Sequence, residues 1–370
     1  MRTTPIFNIF YSATTTLLLS TVLAGCGGSS SGDPASDNNS NTGNGDSSVS
    51  TDITNVNFSK SSGDCRDYVG SYRSQVRDEN RSMVFNGQVT ISATDNSCSI
   101  ASNEIPNHNF HDGNARFATN VSEQSGSYSV TRNPQAAAQT TELSLGATNV
   151  IFLNGVTADL LAAACYGVGN EPLGREKIGC GQNQINNPWR YDPMSSLNNF
   201  GTDSHNAHAQ PDGTYHYHGN PMAMFNQSCE SDAQVSPVIG FAADGFPVFG
   251  PCINDNGTVR KARSSYQLKS GARQAVSGYQ TPVSSQGDVA SGNYDGQFRG
   301  DYQYSAASGD LDECNGMTVN GQYGYYLTDS YPWIIGCYRG SVSSSFSRAP
   351  AAFSRHSHDA SDPGYHSHDH

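Results

Sequence analysis

The sequence predicts a mainly β fold, built as a single large disulfide-stapled domain with few short helices. Only 14% of the 370 residues are charged, whereas Gly (38) and Tyr (19) are frequent. Surface helices draw on Lys, Glu and Ala, while Tyr, Thr and Gly suit pleated strands and tight turns. Strand-like runs recur from about residue 58 to 350 without a fixed-period repeat or an internal linker. This pattern favours one β-rich domain, sandwich-like or irregular.

Six short runs carry the strand signal: GQVTISA (87–93), SYSVTR (127–132), NVIFLNGV (149–156), TYHYHG (214–219), PVIGFAADGFPVFG (237–250) and YGYYLT (323–328). In the fifth run, Asp244 and Gly245 predict a two-residue hairpin loop, because Asp-Gly tolerates the positive φ of such turns. Pro247 on the return arm indicates an edge strand or a bulge. The best helical candidate is TADLLAAAC at 157–165.

The N-terminus carries the pattern of an export signal. Arg2 precedes an apolar stretch ending in LLLSTVLAGC (17–26), which is too short to cross about 30 Å of hydrocarbon. The last four letters, LAGC, resemble the lipobox of bacterial lipoproteins, which implies cleavage before Cys26 and lipid attached to it. The alternative is an ordinary secreted protein whose Cys26 forms a disulfide.

The export signal sets the first predicted segment boundaries. Residues 1–25 are expected to be a lipoprotein signal peptide and residues 26–57 a polar, disordered tether, because the Ser/Gly/Asn tract has almost nothing to bury. Gly27 in place of Asp suits sorting to the outer membrane of a Gram-negative envelope. We therefore expect an envelope protein that contacts the membrane through the lipid on Cys26.

Cysteine usage agrees with an oxidising compartment. Removing Cys26 from the nine cysteines leaves eight, and no Cys-x-x-Cys motif for redox or zinc-thiolate chemistry occurs. Eight thiols allow 105 pairings, so the sequence leaves the connectivity open. Closeness along the chain favours Cys65 with Cys98, Cys165 with Cys180, Cys229 with Cys252, and Cys314 with Cys337.

Charge and motifs argue against several classes of partner. The net charge is −13 and there is no basic run, whereas binding of nucleic acid needs clustered Lys and Arg. No phosphate loop, G-x-S-x-G or H-E-x-x-H is present, so nucleotide binding and the familiar hydrolase classes find no support. The sequence does not indicate a protein partner.

The stretch PDGTYHYHGNP (211–221) is the strongest chemical signal. In a strand, residues two apart point to the same face, so His216 and His218 converge on one side while Tyr215 and Tyr217 pack on the other. The preceding Pro-Asp-Gly suits a three-residue hairpin loop, which places His208 opposite His216. If Asp-Gly alone forms a two-residue loop, the register slips and His208 turns away.

Further candidate ligands lie upstream. His205 and His208 follow Asp203, and IPNHNFHDG supplies His108 and His111. Three or four imidazoles would suit copper or zinc, since nitrogen ligands rank high for both. Asp203 would then be an outer partner that fixes a ring tautomer.

The C-terminal tail has a different character. Residues 351–370 are expected to be disordered, and five of the 11 histidines fall in their last fifteen positions. This tract either captures transition metals loosely or is a solvated tail.

These motifs together resemble the YHYH protein family. The tetrapeptide at 215–218 is its signature, and the likeness spans about 100–340 through six further blocks: SNEIPNH (102–108), LNGV (153–156), IGFAADGFPVFGP (239–251), RSSYQLKSGAR (263–273), DLDECNGM (310–317) and GYYLTDSYPWIIGCYRG (324–340). The resemblance implies an exported domain, often a lipoprotein. It marks Asp203 and four histidines, His108, His208, His216 and His218, as family-like positions. Met317 departs from the Arg expected after DECNG.

Three functions remain open from the sequence. The first is an envelope-anchored lipoprotein that holds copper or zinc through His108, His208, His216 and His218, with Asp203 beside them. The second is a metal-dependent extracellular enzyme, a hydrolase or oxidase. The third is a metal-free surface binding or adhesion module, in which the Tyr and His residues serve packing and hydrogen bonding only.

Overall fold

The predicted β class is confirmed by the structure, a computed structural model that describes residues 50–230 and 234–348. In this part of the chain the helices are single 3₁₀ turns: Cys65–Tyr68, Gln182–Gln184, Arg299–Asp301 and Ser344–Phe346. No helix within these ranges is long and apolar enough to span a membrane. The predicted signal peptide, the lipidation site at Cys26 and the His-rich tail lie outside the described residues.

The strands are mostly short, and we number them in chain order. They are β1 (Thr51–Asp52), β2 (Gly70–Asp78), β3 (Met83–Ala93), β4 (Ser97–Ser102), β5 (Gly126–Thr131), β6 (Thr141–Glu142), β7 (Val150–Phe152), β8 (Thr157–Ala158), β9 (Ala207–Ala209), β10 (Tyr215–Tyr217), β11 (Val238–Ala242), β12 (Pro247–Phe249), β13 (Cys252–Asp255), β14 (Thr258–Lys261), β15 (Tyr266–Leu268), β16 (Tyr302–Tyr304), β17 (Gly316–Val319), β18 (Gln322–Tyr326) and β19 (Cys337–Tyr338).

An eight-stranded sheet carries the candidate site at one edge. Its strand order is β17-β18-β12-β11-β7-β8-β10-β9. The edge hairpin β9–β10 is antiparallel, and β10 runs parallel to β8. The central strands β7, β11 and β12 are buried along their whole length. Their continuous apolar sequences follow from this position, because both faces of the sheet are covered there.

A five-stranded sheet, in the order β1-β2-β3-β4-β5, shares its core with the larger one. Along β3, residues alternate between buried and exposed from Phe85 to Ile91, so one face packs inward and the other meets solvent. Buried side chains of both sheets form one hydrophobic core. Tyr68, in the 3₁₀ turn before β2, also joins this core and lies edge-on to Phe241 of β11, with ring centroids 5.9 Å apart.

The folded part begins earlier than the boundary predicted at residue 58. Strand β1 pairs in parallel with β2, and Ile53 is buried. The Asn107 side chain donates a hydrogen bond of 3.1 Å to the Ile53 carbonyl. Residues 51–57, which the composition assigns to the tether, are therefore part of the fold, because they add a strand to a sheet edge that composition alone does not reveal.

All four expected disulfides are present. They join Cys65 to Cys98, Cys165 to Cys180, Cys229 to Cys252, and Cys314 to Cys337, across 15 to 33 residues of chain. Each bond restricts the unfolded chain and is expected to contribute about 2–4 kcal/mol to stability. This compensates in part for the short strands and long irregular connections.

The helix predicted at 157–165 is wrong. Thr157 and Ala158 form β8, and the following backbone groups bind remote segments instead of the next turn of a helix. Asp159 N donates to the Tyr217 carbonyl at 3.0 Å, and Cys180 N donates to the Ala163 carbonyl at 2.9 Å. Tertiary partners override the helical preference of the Leu and Ala residues.

The Asp-Gly hairpin is present, but with a three-residue loop. Gly245 N donates to the Ala242 carbonyl (2.8 Å), Ala242 N donates to the Phe246 carbonyl (2.9 Å), and only Gly245 has positive φ, at +90°. The expected edge position of Pro247 is also wrong, because β12 lies between β11 and β18. Pro247 is tolerated as the first residue of its strand, and the register shift falls in β11, between Val238 and Gly240.

Candidate metal centre

The hairpin β9–β10 has the three-residue loop that gathers the histidines. Gly213 N donates to the Gln210 carbonyl and Gln210 N donates to the Thr214 carbonyl, both at 2.9 Å. Gly213 has φ of +88°, as the last position of such a loop requires. His216 consequently lies opposite His208, in the register that the proline favours.

Three imidazoles meet on one face of this hairpin, and we call His208, His216 and His218 the His trio. Nε2 of His218 lies 3.1 Å from Nε2 of His216 and 3.0 Å from Nε2 of His208. The three ring centroids form a nearly equilateral triangle with sides of 4.7 to 4.8 Å. The nitrogens therefore face one common point.

The outer ring nitrogens fix the tautomers of two members. Nδ1 of His208 lies 2.6 Å from the Phe200 carbonyl, and Nδ1 of His216 lies 3.2 Å from the Thr214 carbonyl. A carbonyl oxygen only accepts, so each Nδ1 carries the hydrogen and each Nε2 presents a lone pair to the centre. His218 has at most one hydrogen on Nε2 to share between these two lone pairs. At least one of the two close N···N contacts is therefore a contact between two lone pairs. A cation bound between the nitrogens would remove this repulsion.

Burial keeps the His trio uncharged. His216 and His218 are only 2% and 4% exposed, and His208 is half-buried. Desolvation lowers the pKa of all three imidazoles below the ordinary value, and for His216 and His218 the neighbouring rings lower it further. Neutral imidazole is the form that binds a metal ion.

The spacing suits a small transition-metal ion. Tetrahedral zinc with Zn–N bonds of about 2.0–2.1 Å sets its ligand nitrogens roughly 3.3 Å apart. The two shortest Nε2 separations here are 3.0 and 3.1 Å. Three imidazole ligands suit zinc or copper. The donor set and its spacing thus fit the metals that the sequence predicted.

A charged pair beside the His trio was not predicted. Oδ2 of Asp159 accepts a hydrogen bond from the Gln210 side chain and forms an ion pair with Arg348. Oδ1 of Asp159 is buried and has no partner in the described part of the chain. The negative charge of Asp159 favours positive charge on His208 and His218. The same charge would attract a cation at the centre.

No sequence signal pointed to Asp159, because it reaches the site through the parallel pairing of β8 with β10. Its backbone also lies near the His218 ring, whose buried Nδ1 has no hydrogen bond within the described residues. Gln210 could have been found, since the predicted hairpin places it two residues from His208. Arg348 arrives from the C-terminal end of the described chain, and no local pattern links it to the site.

His108 does not join the His trio. Its Nδ1 donates to the Asn109 carbonyl at 2.7 Å, and its Nε2 lies 2.6 Å from the Tyr217 hydroxyl. Tyr217 points to the strand face opposite His216 and His218, so His108 is on the wrong side of the sheet for a shared ion. Burial lowers the pKa of this ring to about 3. The expectation of a four-histidine centre is therefore corrected to three.

Asp203 is also separate from the His trio and fixes no tautomer there. Its carboxylate accepts hydrogen bonds from the Tyr215 hydroxyl (2.8 Å) and from the backbone N–H groups of His111 (3.1 Å) and His205 (3.0 Å). Burial raises the pKa of this carboxyl. Asp203 thus ties two loops to the tyrosine face of β10.

The other two upstream histidines pack on that same side. The His205 ring lies 3.8 Å from the His108 ring, centroid to centroid. His111 stacks on Phe117 at 3.9 Å, and its Nδ1 lies 3.1 Å from Oδ1 of Asp78. These contacts explain the two upstream histidines as packing groups, and the buried Nδ1 atoms of both rings have no hydrogen bond within the described residues.

The comparisons with known proteins agree with the sequence motifs. The family model described as "YHYH protein" matches residues 127–340, which is more than half of the chain and contains β9, β10 and the whole His trio. No curated protein and no solved structure matches the chain. The chain belongs to the YHYH protein family.

Proposed function

We propose that this protein is an envelope-anchored lipoprotein that binds copper or zinc through His208, His216 and His218. The observation that carries the proposal is the convergence of three Nε2 atoms, two of which present lone pairs because their Nδ1 hydrogens are held by backbone carbonyls. Such an arrangement is unfavourable when empty, since buried acceptors without a donor lose their hydration. A bound cation removes this cost.

The surroundings of the His trio support holding an ion. His216 and His218 are buried, so an ion there would be shielded from competing water. Asp159 supplies a nearby negative charge, which compensates part of the charge of a divalent ion. Sequestration, delivery and sensing all require this kind of retained ion.

The envelope location is proposed from the sequence. The segment ending in Cys26 has the pattern of a lipoprotein signal, and the eight remaining cysteines of the mature chain pair in four disulfides. Stable disulfides are typical of exported proteins. We propose the lipid on Cys26 as the contact with the outer membrane.

Metal content tests the proposal directly. The protein is purified without a histidine tag and with residues 351–370 deleted, because the five histidines there would bind adventitious metal. After reconstitution with copper or zinc and desalting, we expect one ion per chain by elemental analysis. The double variant His216→Ala/His218→Ala should lose it, and the control His205→Ala should retain it. Substoichiometric metal in the reconstituted parent protein would reject the proposal and favour the metal-free binding module.

A metal-dependent enzyme is the second candidate function. Three protein nitrogens leave a coordination position for water or substrate, as in catalytic zinc sites. The unpartnered Oδ1 of Asp159 is the specific observation in its favour, since a carboxylate oxygen near such a position can accept a proton. Hydrolysis by the zinc form or oxidation by the copper form, abolished by Asp159→Asn at a metal concentration that saturates both proteins, would establish it.

A further inference from the structure

A cavity separate from the His trio is lined by two arginines that form no ion pair within the described residues. It has a volume of about 460 Å³ and is lined at one part by Pro188, Arg190, Arg299 and Tyr331. We call it the arginine cavity. Volumes of this size accommodate small organic molecules.

Arg299 offers unused hydrogen-bond donors. Its guanidinium makes one long contact, 3.4 Å from Nη1 to the Leu160 carbonyl, and forms no ion pair within the described residues. The group lies over the Tyr331 ring, 5.3 Å from the centroid, and that ring is stacked on Tyr302 at 4.5 Å. The Tyr331 ring thus packs against the guanidinium, and the donors that make no other contact are available for a planar oxyanion.

Arg190 adds a buried positive charge behind this position. It is 2% exposed, and its donors go to three neutral carbonyl oxygens, those of Ala162, Cys180 and Gln184. Desolvation, and then the charge of Arg299, lower the pKa of Arg190 to about 10. A buried cation without a counter-ion is costly, and a bound anion would offset that cost.

The acids near the cavity form no ion pair with these arginines in the described part of the chain. Glu142 and Glu313 line it, but neither pairs with Arg190 or Arg299 in the described chain, and Glu313 faces Arg339 instead, at 3.8 Å. Asp192 interacts electrostatically with Arg299, yet its carboxylate accepts hydrogen bonds from the indole of Trp333 (3.0 Å) and forms no ion pair within the described ranges. Two neighbouring arginines of the described chain therefore lack an ion pair, although the net charge of the protein is −13.

The rest of the cavity lining favours an anion that carries an apolar organic group. Leu143, Leu161 and Ile185 provide apolar surface, and Tyr266 adds an aromatic ring. We propose that the arginine cavity binds a small organic carboxylate, with Arg299 as the direct donor and Arg190 as a fixed positive charge. This site is independent of the proposed metal centre.

Calorimetric titration of the folded full-length protein at low salt tests the proposal. The probes are benzoate, its neutral analogue benzamide, and inorganic phosphate. We expect saturable binding of benzoate, about tenfold tighter than that of benzamide or phosphate, because only benzoate combines a planar carboxylate with an apolar ring. Equal binding of benzoate and benzamide, tighter binding of phosphate, or no saturable benzoate binding would each overturn the proposal.

Variants assign the binding to this cavity. Arg299→Gln should weaken benzoate binding about tenfold or more, and Arg299→Lys should weaken it less, since it keeps the charge but loses the planar fork. The matched control Arg175→Gln removes an exposed arginine, whose contact with Asp288 is long at 3.4 Å, and should bind normally. Thermal melts establish that each variant is folded. Unchanged benzoate affinity in both Arg299 variants would contradict the assignment.

Discussion

The Tyr217 hydroxyl donates a hydrogen bond of 2.6 Å to Nε2 of His108, on the face of β10 opposite the His trio. The hydroxyl also accepts a hydrogen bond of 3.0 Å from the Asn154 side chain. One strand therefore separates two histidine environments: a hydrogen-bonded imidazole in the core, and three imidazoles that face one another.

The variant Tyr217→Phe tests whether the two histidine environments are independent of each other. It leaves the buried Nε2 of His108 without a partner and removes one of the two hydrogen bonds of the Asn154 amide, so we expect a loss of about 1–3 kcal/mol in the free energy of unfolding. The copper or zinc content of the tail-deleted protein should stay unchanged, because Tyr217 points away from the His trio. Denaturant unfolding and elemental analysis measure the two effects. Tyr304→Phe, on a more exposed tyrosine, is the control and should change neither. Loss of metal from a folded Tyr217→Phe protein would contradict this separation.

Asp159→Asn tests the electrostatic support of the proposed metal centre. The substitution keeps the shape of the side chain but removes the charge that acts on His208 and His218, and we expect metal affinity to fall about 10- to 100-fold. Competition with a chromogenic chelator measures the change. Asp212→Asn, in the exposed loop of the same hairpin, should leave affinity nearly unaltered. If both variants bind metal equally well, Asp159 has no such role.

Gly213→Ala tests the loop that sets the register. An added Cβ would clash with Oγ of Ser122, at a residue with φ of +88°. Gly257 has a similar φ of +95°, but a Cβ added there would meet no heavy atom within 4 Å, so Gly257→Ala is the matched control for backbone strain alone. We expect the control to lose about 1–2 kcal/mol of stability. Gly213→Ala should lose clearly more and bind metal more weakly. Equal losses would show that the contact with Ser122 does not constrain the loop.

Glu104→Gln should change the pH dependence of stability. Burial raises the pKa of this carboxyl from 4.5 to about 7, with the Tyr128 hydroxyl donating to it at 2.6 Å. The folded state therefore favours the protonated acid, and its ionisation lowers the free energy of unfolding as pH rises from about 4.5 through about 7. Gln stays neutral, so the variant should gain on the order of 2 kcal/mol relative to the parent between pH 5 and pH 8.

Unfolding in denaturant at these two pH values measures the difference for Glu104→Gln. Glu123→Gln replaces an exposed carboxylate and should show almost no relative gain. A parallel pH profile for parent and Glu104→Gln would mean that Glu104 ionises normally in the folded protein.

Local chemistry explains why the hairpin was predictable. The period of two places His216 and His218 on one face, and Pro-Asp-Gly sets the loop length that brings His208 opposite His216. The cysteine pairs were predictable for a related reason, since each joins partners close along the chain. These features depend on short stretches whose geometry the residue types restrict.

The remaining site residues depend on contacts between distant segments. His108 belongs to a connection that packs on the tyrosine face, and nothing in IPNHNFHDG indicates that face. The helical preference of LLAAA predicts a helix that includes Asp159, yet the pairing of β8 with β10 decides where this residue lies. The positions of His108 and Asp159 are decided by packing between distant segments. The residue types in a short stretch of sequence do not reveal that packing.

The parallel pairing of β10 with β8 has a consequence for the order of folding. The His trio lies within residues 208–218, so a local hairpin can assemble its three rings quickly, whereas β8 comes from residues 157–158 and must close a long loop. During folding the three rings would thus meet before β8 pairs with β10. The proposed ion would therefore find its three ligands together as soon as the hairpin forms, before the rest of the eight-stranded sheet is assembled.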